Sequence, residues 1–123
     1  MQSTVIQIGK DAIDKADPVV ILFGETATEA LQNVSVIQRF QQTDRWTDLR
    51  RGDAVFFDEQ EYTIAFIGSS VHENLRSLGH TTFMFKSEGE EPLETSIYSA
   101  PYTRPAIMDG TTIMYKTKVE GDL

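Results

Sequence analysis

Two histidines, His72 and His80, are the side chains of this sequence best suited to acid–base or nucleophilic chemistry near neutral pH. Both fall in "GSSVHENLRSLGHTTFMF", residues 68–85, eight positions apart. That spacing does not match HExxH or His-x-His, the patterns that bring two imidazoles onto one metal. With no cysteine in the chain, a thiolate nucleophile and a thiolate metal site are both excluded. Glycine-rich phosphate cradles are missing too, since "IGSS" lacks the glycines and lysine of a P-loop. The chemistry within reach is that of a single imidazole, with no metal and no cofactor implied. Either ring could equally be structural, His72 as a solvated first-turn side chain and His80 packed back on Leu75 of the preceding turn.

What each ring can do depends on the element that carries it. Ser70 stands three residues before Glu73, a capping-box spacing that predicts a helix start there. Val71, Leu75 and Leu78 then recur at i, i+4 and i+7, forming one apolar face. Gly79 follows where the chain must leave the helix at positive φ. His72 would occupy the first turn, flanking the apolar face and exposed. His80 would open a strand whose alternation sets Thr81, Phe83 and Phe85 on the core side. His80, Thr82, Met84 and Lys86 would share the other face, with the Thr82 hydroxyl able to orient the ring or a bound phosphoryl group. Arg76 and Lys86 are the nearest cations in sequence.

The rest of the chain reads as short β segments rich in Val, Ile, Thr, Tyr and Phe. Strands are predicted at Thr4–Ile8, Val19–Phe23, Val34–Phe40, Ala54–Phe57, Tyr62–Ile67, Thr81–Lys86, Thr95–Ser99 and Thr111–Val119. The best hairpin is "DAVFFDEQEYTIAF", turning through Asp58 to Glu61. Minor helical turns are predicted at Asp11–Ala16, ahead of Pro18, and at Thr26–Gln32, where Thr26 and Glu29 repeat the capping-box spacing. The expected fold is mainly β: a barrel-like or folded antiparallel or mixed sheet with one or two short helices, in one domain over residues 1–123. A folded sheet leaves edge strands that a second copy could cover, which keeps a homodimer open.

A formal charge of −8 argues against nucleic acid, whose phosphates demand clustered Lys and Arg. No apolar run approaches the roughly 20 residues of a membrane helix, and the first ten residues lack a signal-peptide pattern, so a cytoplasmic location is expected. The Arg51-Gly52-Asp53 tripeptide, known from adhesion motifs, is read as a glycine turn before a strand.

The stretch "YTIAFIGSSVHENLRSLGHTTFMF", residues 62–85, resembles the glucitol/sorbitol-specific IIA component of the bacterial phosphoenolpyruvate-dependent sugar phosphotransferase system. The opening "TVIQIGKDAIDKA" is similar to the same family. The resemblance implies a small β phosphocarrier that takes a phosphoryl group on a histidine from the system's phosphocarrier protein. It then passes the group to the membrane transporter's IIB domain. One position departs from that pattern. The family's phosphoaccepting histidine corresponds to Gln38, inside "NVSVIQRFQQTDRW", and a glutamine amide cannot relay a phosphoryl group because its lone pair is delocalised. The resemblance therefore leaves two expectations: His80 as phosphoacceptor, supported by Thr82 and by Gln38, or a IIA-like binding or regulatory protein that has lost phosphotransfer.

Overall fold

A computed structural model describes residues 1–14, 16–41 and 48–117. Among the described residues eight strands close into a barrel: β1 (Gln2–Ile8), β2 (Val19–Phe23), β3 (Val36–Phe40), β4 (Ala54–Phe57), β5 (Gln60–Ile67), β6 (Thr81–Met84), β7 (Ser96–Ala100) and β8 (Thr112–Lys116). Two short helices interrupt them, α1 (Glu29–Asn33) and α2 (Val71–Leu78). Around the ring the order is β1-β3-β2-β6-β7-β5-β4-β8. The pairs β2/β3 and β6/β7 are parallel and the others antiparallel, so the sheet is mixed. Because the ring is closed, no sheet edge among the described residues is left open. Among the described residues no helix is long and apolar enough to cross a membrane.

Alternating side chains fill the interior. On β6 and just beyond it, Thr81, Phe83 and Phe85 are buried, as the alternation predicts, but Met84, expected on the other face with Thr82, is buried as well. Phe57 meets Tyr62, Phe83 and Phe85 edge-on with ring centroids 5.7, 5.4 and 6.1 Å away, geometry that aromatic quadrupoles favour. Val20, Leu22, Val36, Ile64, Ile97 and Ile113 complete the core, and α2 buries Val71 and Leu75 against it.

Several local expectations are corrected. The β4–β5 turn is shorter than Asp58–Glu61: Phe57 pairs with Gln60, leaving Asp58 and Glu59 as the turn. Asp58 takes φ 55°, a left-handed conformation that Asp tolerates, and its carboxylate accepts from the Thr112 backbone N–H at 2.9 Å. No helix forms around Asp11–Ala16 among the described residues; the Asp14 carboxylate takes the Ala16 N–H at 2.9 Å, substituting a side-chain bond for a helical one. Lys15 lies outside the described residues, as do residues 42–46 of the segment around Gln38 and the last two positions of the predicted Thr111–Val119 strand. The cap of α1 is Thr28 rather than Thr26, because Gly24 and Ala27 close a turn ahead of it. The Ser70–Glu73 capping box does not form: Ser70 already has helical dihedrals, and its N–H is held by the Glu94 carbonyl at 2.9 Å. Leu78 is 44 % exposed and does not join Val71 and Leu75 in the core. Asp53 is buried and accepts from the Arg50 N–H at 2.7 Å, so the Arg-Gly-Asp sequence is a turn that offers no carboxylate.

Candidate functional site

The corner between α2 and β6 carries His80. Gly79 ends the helix with φ 63°, and two bonds close the end: Gly79 N–H to Leu75 O at 3.0 Å and His80 N–H to Asn74 O at 3.2 Å. From the other side, Gly24 N–H donates to Leu78 O at 2.9 Å. A Cβ on Gly79 would lie 2.8 Å from Gly24 Cα, so glycine is required at this crossing of backbones as well as for its dihedral.

His80 is partly exposed on the outer face of the barrel. Its ring stacks on Phe23, with centroids 4.1 Å apart and planes 20° apart, so it does not fold back on Leu75. Nδ1 lies 3.0 Å from the Leu22 carbonyl oxygen. A carbonyl only accepts, so Nδ1 carries the proton, and the neutral ring keeps its lone pair on Nε2. Leu22 thus orients the ring, and Thr82 stands two residues further along, on β6. Lys86 is past the far end of β6, some 20 Å from His80 at the strand rise of about 3.3 Å per residue. Arg76 on α2 is shared between Asp48 at 3.4 Å and Glu73 at 3.7 Å. His72 is only partly exposed and is held in place: its Nε2 donates to Leu49 O at 2.8 Å, pinning a buried leucine over the core.

Gln38 sits on β3 and is 1 % exposed. Its Oε1 accepts from Ser3 Oγ at 2.6 Å and from Tyr115 Oη at 2.8 Å, while its Nε2 donates to Gly79 O at 2.9 Å. The amide orientation follows from the partners, since only the nitrogen can face a carbonyl. Gln38 and His80 are therefore linked through one peptide group, although the glutamine points inward and the imidazole outward. A groove of 360 Å³ opens over Gln38, lined also by Gly24, Arg39, Phe40, Leu75 and Gly79. At its rim Arg39 binds Glu25 in a fork, Nε to Oε1 at 2.8 Å and Nη2 to Oε2 at 3.1 Å. That pairing lowers the Glu25 carboxyl below its ordinary value and raises the Arg39 guanidinium. Sequence reasoning missed Ser3 and Tyr115, which lie 35 and 77 residues from Gln38 and carry no local signal of the contact.

Burial pushes the Tyr115 phenol well above its ordinary range, and Tyr62 moves the same way for the same reason. A raised folded-state value means that this stability is complete below the unfolded value, about 10, and is lost as pH rises beyond it. Denaturant titrations at about pH 8 and about pH 11 are expected to show a fall in stability that is smaller in Tyr115→Phe. An equal fall in both proteins would remove Tyr115 as its source.

The family model for the PTS system glucitol/sorbitol-specific IIA component matches residues 1–114. A PTS system glucitol/sorbitol-specific EIIA component of Escherichia coli (strain K12) is 27% identical over 120 residues, covering 97% of this chain and 96% of that protein. Its counterpart from Shigella flexneri is 26% identical over 120 residues, with the same coverage. Among solved structures, a PTS system IIA component from Enterococcus faecalis V583 superposes with a TM-score of 0.89 at 39% identity, over 95% of this chain and 100% of that one.

Proposed function

We propose that this chain, which belongs to the glucitol/sorbitol-specific IIA components of the phosphotransferase system, carries a phosphoryl group on Nε2 of His80. The observation that carries the reading is the Nδ1 bond to Leu22 O, which fixes the tautomer and leaves Nε2 with its lone pair on a partly exposed ring. In the forward step Nε2 attacks phosphorus in line. The bond from phosphorus to the donor's nitrogen breaks, and its electron pair returns to that nitrogen. His80 keeps its Nδ1 proton throughout, so the phosphorylated ring is cationic, and the Leu22 carbonyl dipole already points at the charge that develops. The donor is the system's phosphocarrier protein and the acceptor the transporter's IIB domain, which sets the exchange in the cytoplasm.

Incubation with phosphoenolpyruvate and the two general proteins of the system is expected to yield an acid-labile phosphoryl adduct, seen by intact-mass spectrometry at alkaline pH. A wild-type protein that gains none ends the relay reading. A second reading is motivated by Gln38, whose amide bonds to Ser3, Tyr115 and Gly79 where the family's pattern has the accepting histidine. On that reading the chain binds a transporter domain or a regulator without transferring phosphate. No adduct on wild type, an adduct on Gln38→His and measurable association with the transporter domain together mark it.

A further inference from the structure

We infer that Gln38 is a positioning residue for His80, acting through the carbonyl of Gly79; this rests on the relay reading for its functional consequence. Four elements meet through one amide. β1 supplies the Ser3 hydroxyl and β8 the Tyr115 hydroxyl, both donating to Oε1. Those two bonds fix the direction of Nε2, which reaches out of the barrel interior to the peptide joining Gly79 and His80. The same peptide is held at its other end, where His80 N–H donates to Asn74 O at 3.2 Å. With carbonyl and N–H both tied, the plane of that peptide is set, and with it the position of the His80 Cα from which the side chain starts. The ring is then delivered to Leu22 O at 3.0 Å and onto the face of Phe23.

Neither the helix cap nor strand pairing supplies this constraint. The cap bonds come from Gly79 N–H and His80 N–H, and β6 pairing with β2 starts one residue later, at Thr81 with Leu22. The Gly79 carbonyl is the group left over, at a glycine, the residue type whose backbone is least restricted. A buried amide held by three bonds favours one geometry, because turning it would break its bonds to Ser3, Tyr115 and Gly79 and leave buried groups unpaired. Gln38 does not touch the phosphoryl group on this account. It acts on the tautomer and direction of a ring that does.

Long-range proton–nitrogen NMR spectra of the histidine rings provide the test, with phosphoryl uptake measured in parallel. Wild type is expected to show His80 as a single Nδ1–H tautomer. In Gln38→Met, which keeps the chain length and removes all three bonds of the amide, the ring is expected to become a mixture of tautomers, and uptake to fall about tenfold, the scale of the one bond, to Gly79 O, that bears on His80. The His72 ring, tied to Leu49 and away from this corner, serves as the control that a general loosening would also move. A folded Gln38→Met protein whose His80 spectrum matches wild type overturns the inference. Should that variant fail to fold, the wild-type protein decides: a scalar coupling across the hydrogen bond from the Gln38 amide to the Gly79 carbonyl carbon is required, and its absence overturns the inference as well. Wild type that takes up no phosphoryl group, with a tautomer that still shifts in Gln38→Met, supports the positioning role while ending the relay reading.

Discussion

His80→Ala is expected to fold like the parent protein and to take up no phosphoryl group, a loss of at least about 10³-fold in rate. The fold survives because the ring is outside the barrel: its removal deletes one bond to Leu22 O and one stacking contact with Phe23. Together these are worth about 1–2 kcal/mol. The chemistry is expected not to survive, because no neighbouring group among the described residues can substitute. Thr82 is an unactivated hydroxyl, the Gln38 amide is caged, and His72 is committed to Leu49 on another face. Quench-flow with a phosphorylated carrier protein, followed by denaturant titration of the same variant, separates the two effects. An adduct on His80→Ala moves the site elsewhere and ends the assignment of that residue.

Phe57→Ala is expected to have the opposite profile, a large loss of stability with transfer retained while the protein stays folded. Phe57 is fully buried, and three aromatic rings lie edge-on around it. Truncation leaves a cavity that these rings cannot close without leaving their strands, so about 3–5 kcal/mol is lost. That is a large share of the 5–15 kcal/mol by which domains are generally stable, and in a chain of this length it lowers Tm by about 10–20 °C. Calorimetry checks it. A loss below about 1 kcal/mol means that the aromatic cluster is looser than its geometry implies. Phe57 lies on β4 and packs in the interior against Phe83 and Phe85, whereas His80 stands outside, so the pair of variants separates core packing from the chemistry of the ring.

How much of this was legible before the structure depends on how far apart the interacting residues lie. The strands were readable because β-branched and aromatic residues alternate within a few positions, and the same alternation put His80 and Phe83 on opposite faces. Gly79 was readable as a helix stop. Barrel closure was not, because β1 meets β8 across more than a hundred residues, and no local pattern encodes which strands neighbour each other. The Gln38 cage was invisible for the same reason, with Gly79 41 positions away and Tyr115 77. Local rules failed where a distant backbone group displaced them. Ser70 and Glu73 have the right spacing for a reciprocal cap, yet the Glu94 carbonyl takes the Ser70 N–H and the box is redundant. Sequence distance also misled about charge: Lys86 is six residues from His80, but a strand carries those residues straight away from it.

The ring of strands is joined through its first and last members, and this bears on how the protein is made. During synthesis the hairpin of β4 and β5 can assemble as soon as residue 67 is free of the ribosome, but β1 must wait with one flank bare until residues 112–116 follow. Until then Ser3 and Gln38 already have each other, while the phenol that completes their network is still inside the tunnel. Until β8 is available β1 and β4 each keep one flank unpaired, and its arrival both seals the cylinder and finishes the wiring beneath His80.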